Sequence, residues 1–304
     1  MNIIVSTTIN PPTEAILRFD AMPGWTLLVV GDKKTPADYR LANGVYFSPD
    51  EQEKYNPALS EVLGWNCIAR RNFGFLWAHD HGAEVVAVVD DDNIPNEKWG
   101  KDLFIGKPTE VTYYHTDQLA FDPVGATNYP HLWHRGFPLQ LIPKRDYSRH
   151  EKKMITPLVQ ADFWDGDPDI DAICRLEHAP DCRFDPACFP MAASAIAPFN
   201  SQNTFLHASL LSKYFMFPFT GRMEDIWAAY YLQAASDAAV VFGAASVFQA
   251  RNPHDLLRDM RAEYIGYENN MEMLRVLKNN PESIARFLPG RSWEAFDVYR
   301  RHFR

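Results

Sequence analysis

Residues 83–95 read Ala-Glu-Val-Val-Ala-Val-Val-Asp-Asp-Asp-Asn-Ile-Pro: an apolar run over Val85–Val89, stopped by three successive carboxylates, Asp90, Asp91 and Asp92. The run is β-branched and too short for a buried helix, so it predicts a buried strand bounded by Gly82 and Pro95. In an open α/β sheet, ligands sit outside the carboxyl ends of strands, which is where the three acids fall. Three like charges at one point repel one another unless a cation neutralises them. Hard oxygen ligands of this kind suit Mg²⁺ or Mn²⁺, which often complete their coordination with a phosphate. The triplet alone also allows a solvated acidic turn, so both readings stand.

The residues before this strand share its plan. Asn2–Thr8 predicts a first strand ending in Ser6, Thr7 and Thr8, and Pro11 and Pro12 break it before a short helix at 14–19 entered at Thr13. Residues 25–30 predict a second strand that ends at Gly31-Asp32-Lys33-Lys34, and Val45–Phe47 a short third. Residues 57–81 have helical character and stop at Gly82. Alternating strands and helices make a parallel α/β half. Its long strands end in groups able to bind phosphate or metal: Thr7, then Asp32 and Lys33, then the triplet. Asp32 suits a ribose or nucleobase, or simply a turn. Arg70 and Arg71 are fixed donors suited to pyrophosphate, or a solvated helix face.

After Pro95 the pattern loosens. Residues 111–115 read as a strand, and residues 122–149, rich in Pro, Gly, His and Arg, as loop. Residues 161–171 are intensely acidic and read as an Asp-type turn or an exposed loop near a cationic partner; they lack the terminal Glu of a calcium-binding loop. Residues 223–235 have helical spacing and begin with Glu224 and Asp225, acids that suit a helix N-terminus. Residues 237–248 read as a buried strand and 253–277 as a helix. The tail, 287–304, mixes Phe287, Trp293, Phe296, Tyr299 and Phe303 with Arg291, Arg300, Arg301 and Arg304, and Arg286 just precedes it. Such a tail suits its own domain, a homodimer contact or an anionic membrane surface. Cys174, His178, Cys182 and Cys188 offer soft ligands for a structural zinc, without a C-x2-C knuckle; the other reading is scattered reduced thiols.

Composition removes several classes. The chain has 304 residues, 46% hydrophobic and 23% charged, with net charge -9. That balance disfavours a general nucleic-acid surface. Met1 leads straight into a strand-like run, and no apolar run approaches the ~20 residues of a membrane span, so the expected compartment is the cytoplasm. No G-x-x-x-x-G-K-[ST] occurs, no G-x-G-x-x-G follows the first strand, and no G-x-S-x-G is present. P-loop, Rossmann-type NAD and serine-hydrolase chemistry therefore find no support.

Val29-Val30-Gly31-Asp32-Lys33-Lys34-Thr35-Pro36, then Trp65-Asn66-x-x-Ala69-Arg70-Arg71-Asn72-x-Gly74, then Val89-Asp90-Asp91-Asp92-Asn93 resemble the STELLO-type glycosyltransferases and the reversibly glycosylated polypeptide (UDP-arabinopyranose mutase) group. The likeness continues through Arg135-Gly136-Phe137-Pro138, Asp169-x-Asp171-Ala172-Ile173, Asn200-Ser201-Gln202-Asn203-Thr204-Phe205 and Gly221-Arg222-Met223-Glu224-Asp225-Ile226-Trp227. It covers roughly residues 1–265 and implies a GT-A-type fold, a mixed, mostly parallel sheet flanked by helices. The implied domain spans 1–265, with a nucleotide-binding half at 1–95 and a sugar and acceptor half at 96–265, followed by a helical tail at 266–304. Asp90, Asp91 and Asp92 would carry Mn²⁺ or Mg²⁺ with the diphosphate. Thr7, Asp32 and Arg71 would line the nucleotide, with Lys33 and Arg70 beside them, and Asn203 would approach the donor sugar. Glu224 and Asp225 match the position of the base in inverting enzymes. His254 is the nearest match to a late metal-binding histidine, or else a helix cap. Arg135 matches the mutase group's arginine, although Phe137 replaces the motif's Tyr; it would carry a sugar or bind diphosphate. The acceptor, a glycan, lipid or protein, is left open, as are a mutase activity and a non-catalytic binding role.

Overall fold

The computed structural model describes residues 1–249 and 255–304. Pro253 and His254, the first two residues of the predicted helix, therefore lie outside the described residues. The N-terminal half alternates as its sequence requires: β1 (Asn2–Thr8), α1 (Glu14–Asp20), β2 (Trp25–Gly31), β3 (Val45–Phe47), α2 (Pro49–Tyr55), α3 (Pro57–Leu63), α4 (Arg71–Asp80) and β4 (Val85–Val89). Then come β5 (Asn93–Pro95), β6 (Thr109–Tyr114), β7 (His150–Ile155), β8 (Val159–Gly166), α5 (Ala172–His178), β9 (Met191–Ala193), β10 (Asn203–His207), α6 (Glu224–Ala235), β11 (Val240–Gln249), α7 (Leu256–Leu277) and α8 (Gly290–Arg301).

The strands form one sheet in the order β3-β2-β1-β4-β10-β8-β11-β9-β6-β7, with β5 paired to β11. β3, β2, β1 and β4 are mutually parallel, whereas β10 runs antiparallel between β4 and β8. β8 and β11 are parallel again. The expected mixed α/β sheet flanked by helices is therefore present. From β1 the chain winds outward to β2 and β3, then crosses back to β4 on the other side of β1. The strand order reverses between β1 and β4, and a crevice opens beyond the carboxyl ends of strands at such a point. Thr7 and Thr8 end β1, and the acidic triplet follows β4. Sequence order alone thus brings the two together.

Packing fixes their distance. Every residue of β4 is buried, which its unbroken apolar run demands. On the layer above, α4 crosses β1 through Gly74, where an added Cβ would come within 2.3 Å of Val5 Cγ1. That close approach places Arg71, one turn earlier in the helix, over the end of β1.

Three expectations change. The helix read over 57–81 is interrupted, because Gly64 and Asn66 adopt positive φ and the loop between α3 and a 3-10 turn at Ile68–Arg70 is held by Asp32. The acidic stretch 161–171 is not an exposed loop: Asp162, Asp169 and Asp171 are buried. Their partners come from remote segments, Asp169 pairing with Arg135 and Asp171 accepting from Trp133 Nε1 at 2.6 Å. Cys174, Cys182, Cys188 and Cys67 are free thiols, and among the described residues no group of three or more His, Cys, Asp or Glu side chains is placed to hold a metal, so the zinc reading has no geometry behind it.

The tail aromatics point inward. Phe296 packs on Phe215, Phe217 and Tyr231, and Tyr299 donates to Leu211 O at 2.7 Å. α7 continues unbroken across position 265. Among the described residues no helix is long and apolar enough to cross a membrane.

Candidate active site

The crevice at the β1/β4 crossing is a cleft of about 330 Å³ lined by Thr7, Thr8, Asn10, Asp32, Lys34, Asn66, Arg70, Arg71 and the triplet Asp90, Asp91 and Asp92, with Ile9, Val30, Cys67 and Ile68 as its apolar wall. Arg71 ties its two sides together. Nη2 donates to Thr7 Oγ1 at 3.0 Å and Asp90 Oδ1 at 2.7 Å, and Nη1 to Ser201 O and Oγ at 2.8 and 2.9 Å. Its Nε–H is buried and has no partner. Burial pushes the Asp90 carboxyl upward, and the Arg71 charge opposes it.

The remaining acids are held individually. Asp91 accepts from Thr8 Oγ1 at 2.5 Å and Asn10 Nδ2 at 3.0 Å, and its carbonyl accepts from Thr13 Oγ1. Asp32 accepts the backbone amides of Lys33, Asn66 and Cys67 at 2.6, 2.9 and 3.2 Å. Its carboxylate shapes the loop that forms one wall.

Two neighbouring predicted residues turn away from the cleft's centre. Lys33 lies over the Trp65 ring at 4.8 Å, while Lys34 lines the cleft. Arg70 is fully buried; its guanidinium donates to Gln52 Oε1 and Ser60 Oγ and stacks on Trp65 at 3.6 Å. Desolvation there lowers its pKa to about 10. Arg70 is thus a structural cation beneath the loop. Asn203 is likewise turned into the sheet, accepting from Trp99 Nε1 at 2.9 Å and donating to Ser246 Oγ at 2.9 Å and Phe163 O at 3.0 Å.

Behind Arg71 lies a second ionic layer. Arg135 Nε and Nη2 donate to Asp169 at 2.8 Å each, and Nη1 and Nη2 to Asp225 at 2.9 Å each. Nη1 also donates to Arg222 O. All five N–H donors of a guanidinium are thereby used. The two carboxylates hold Arg135 protonated, well above its ordinary pKa, despite its burial. The mutase expectation requires a nucleophilic arginine; this one is buried, charged and fully bonded. Asp225 also accepts from Ser201 N at 3.1 Å, and the Arg135 charge keeps its carboxyl below the usual range in spite of burial.

Glu224, one residue earlier at the start of α6, has the opposite environment. It is 8% exposed, and Oε2 has no hydrogen-bond partner. Desolvation, then the Asp225 charge, push its pKa up to about 8, against smaller downward effects of the Phe219 and Ala69 backbones and Arg71. Adjacent carboxyls with pKa values driven apart are the arrangement that separates an acid–base group from a fixed charge. Of the two acids, Glu224 is the one left desolvated with an open oxygen, while Asp225 is clamped by Arg135.

Sequence reasoning did not single out Lys34, Thr8, Asn10, Asn66 or Ser201. Lys34 and Thr8 adjoin residues it did name. Nothing local announces Ser201, because it joins Arg71 to Asp225 only through the crossing of β10's approach with α4.

No family model matches the sequence. Over 226 residues, 68% of this chain, it is 25% identical to the probable glycosyltransferases STELLO2 and STELLO1 of Arabidopsis thaliana. The chain spans only 29% of the length of those curated relatives. Among solved structures, glucosyl-3-phosphoglycerate synthase from Mycobacterium tuberculosis, in complex with phosphoglyceric acid, aligns over 90% of this chain and 80% of its own, at 12% identity and a TM-score of 0.42. The likeness read from the motifs is thus borne out at the level of sequence: the chain is similar to the STELLO-type glycosyltransferases.

Proposed function

We propose that this protein transfers a sugar from a nucleoside-diphosphate donor, bound in the β1/β4 cleft with a divalent cation, to an acceptor hydroxyl. The observation that carries the reading is the cleft's charge: Asp32, Asp90, Asp91 and Asp92 face Lys34 and Arg71, while the Arg70 guanidinium is turned into the protein. A diphosphate, itself multiply negative, enters such a cleft together with a cation. The triplet's donors are the hard oxygens that Mg²⁺ and Mn²⁺ prefer. One or two carboxylates with phosphate oxygens suffice for such an ion, so a complete protein cage is not required. Asp92 and Asp91 would hold the ion, since Asp90 is paired with Arg71. When bound, that ion neutralises charge on the leaving diphosphate.

The chain's own groups divide the remaining work. Thr7 and Arg71, joined by a hydrogen bond at the end of β1, orient the nucleotide. Glu224 in its ionised form takes the acceptor hydroxyl's proton as that oxygen bonds to the anomeric carbon. The bond from that carbon to the diphosphate breaks, and the electron pair leaves with the diphosphate. A single displacement of this kind inverts the anomeric centre.

The test is a thermal-shift panel of UDP, GDP, CDP and ADP with and without Mn²⁺. A ligand that binds only the native state raises apparent stability by about 2.7 kcal/mol at 100 times its dissociation constant. One diphosphate is expected to stabilise the protein only with metal present. No shift from any nucleotide under either condition sinks the reading.

A further inference from the structure

Resting on that reading, we propose that Ser201 is a positioning residue for the donor: it carries the fixed geometry of the Arg135 fork to Arg71 and, through Arg71, to Thr7 and Asp90 in the cleft. Ser201 is 1% exposed and lies outside the cleft lining, behind Arg71. It accepts from Arg71 Nη1 at its carbonyl and at its hydroxyl, at 2.8 and 2.9 Å. Its amide donates to Asp225 Oδ2 at 3.1 Å, the same oxygen that accepts from Arg135 Nη2 at 2.9 Å. Its hydroxyl donates to that oxygen as well, at 3.4 Å. Successive members of the chain Arg135, Asp225, Ser201, Arg71, Asp90 are 90, 24, 130 and 19 positions apart, so no single element of secondary structure sets it.

The chemistry at position 201 fits a link of this kind. Arg71 offers only donors on one side, and the ionised Asp225 offers only acceptors on the other. A hydroxyl joins them because it accepts from the first and donates to the second; an alanine side chain does neither. The same bonds fix the plane of the Arg71 guanidinium. Nη1 carries two protons, and Ser201 O and Oγ take them; Nη2 carries two, and Thr7 Oγ1 and Asp90 Oδ1 take them. Ser201 therefore holds Nη1 from the interior and leaves Nη2 to the cleft groups. Gripped at Nη2 alone, the guanidinium would swing on its flexible stem, and Thr7 and Asp90 would lose a fixed partner. Binding sites depend on such supporting residues, which never touch the ligand themselves.

Two readouts on the whole chain test this. In ¹⁵N NMR of the guanidinium nitrogens, slow rotation about the Cζ–Nε bond is expected to give Arg71 separate Nη1 and Nη2 signals, assigned by their loss in Arg71→Met. Ser201→Ala is expected to merge those signals. It is also expected to weaken calorimetric binding of the diphosphate that the panel selects (UDP, GDP, CDP or ADP, with Mn²⁺) by about tenfold, the loss of one hydrogen bond to a charged group. Ser201→Thr, which keeps the hydroxyl, should restore both. Ser201→Cys takes the place of the alanine variant if that variant does not fold, with the same expectations. Because Ser201 acts through Arg71, adding Ser201→Ala to Arg71→Met should weaken binding no further. Separate Nη signals in Ser201→Ala, an unchanged affinity, or a further fall of that size in the double variant each overturns the proposal. If no nucleotide shifts the wild-type melting temperature, the donor reading falls by itself, and the Nη signals still decide whether Ser201 holds Arg71.

Discussion

Arg135 and Asp225 meet face to face, Nη1 to Oδ1 and Nη2 to Oδ2, both at 2.9 Å, with Asp169 closing the other edge of the guanidinium. This fork makes Arg135 a keystone between the segment after β10's neighbour β8 and the start of α6, and it decides how the adjacent acids behave. Arg135→Ala leaves two buried carboxylates without their cation. Breaking a buried ion pair from one side costs about 3–5 kcal/mol. Urea denaturation is expected to show a loss of that size. Arg135→Lys will recover little, because a point charge cannot supply five directed donors. Wild-type stability in Arg135→Ala contradicts the keystone role, and a sugar-sized mass increase on Arg135 after incubation with UDP-sugars would restore the mutase reading.

Glu224 carries a pH signature. Its folded pKa, about 8, is above the ordinary carboxylate value, so the native state binds the proton more tightly than the unfolded chain. Stability from this group is therefore full at low pH and declines as pH rises from about 4.5 to about 8, by at most about 1.4 kcal/mol per pH unit. Glu224→Gln removes the decline and is more stable than wild type above pH 8. Catalysis has the opposite slope, since only the ionised carboxylate accepts a proton: kcat/KM should rise through pH 8, and Glu224→Gln should lower kcat by about 10²–10⁴. A glutamine variant with an unchanged rate profile refutes Glu224 as base.

Asp92→Ala and chelation by EDTA address the same cation from two sides. Both are expected to abolish the nucleotide-induced thermal shift; added Mn²⁺ should restore it in the chelated wild type and leave Asp92→Ala unchanged. Nucleotide binding that survives both treatments would show that the cleft works without a metal.

The adjacent arginines should separate cleanly. Arg71→Met removes the donors to Thr7, Asp90 and Ser201 and is expected to weaken nucleotide binding at least tenfold. Arg70→Met strips a buried fork from Gln52 and Ser60, so it lowers stability by about 1–3 kcal/mol and leaves affinity near wild type. Calorimetric titration of the two folded variants distinguishes them, and equal losses of affinity would contradict the assignment.

Asn203→Leu examines a residue that the motifs place near the donor sugar and the fold places inside the sheet. It strands the Trp99 indole N–H and the Ser246 hydroxyl, a loss of about 1–3 kcal/mol. Donor KM in the folded variant is expected to match wild type; a large rise in KM would return Asn203 to the site.

Several parts of this molecule are written locally. An apolar, β-branched run has one economical home, so Val85–Val89 is a buried strand with the bounds its residues suggest, and the order of strands and helices before it sets the crossing at which Thr7 and the acidic triplet meet. Acids at the start of α6 are equally legible. What each charged group does depends on partners eighteen to ninety positions away, and one-dimensional spacing carries no record of them. Arg70 and Arg71 are neighbours of the same chemistry, yet one helical step turns the first onto Gln52 and the second onto Asp90. Glu224 and Asp225 separate for the same reason: Arg135 reaches only the second, so desolvation is compensated at Asp225 and uncompensated at Glu224. The acids of 161–171 look solvated in sequence because burying a carboxylate is costly; Arg135 and Trp133 supply the donors that offset the cost, and only the tertiary structure brings them there.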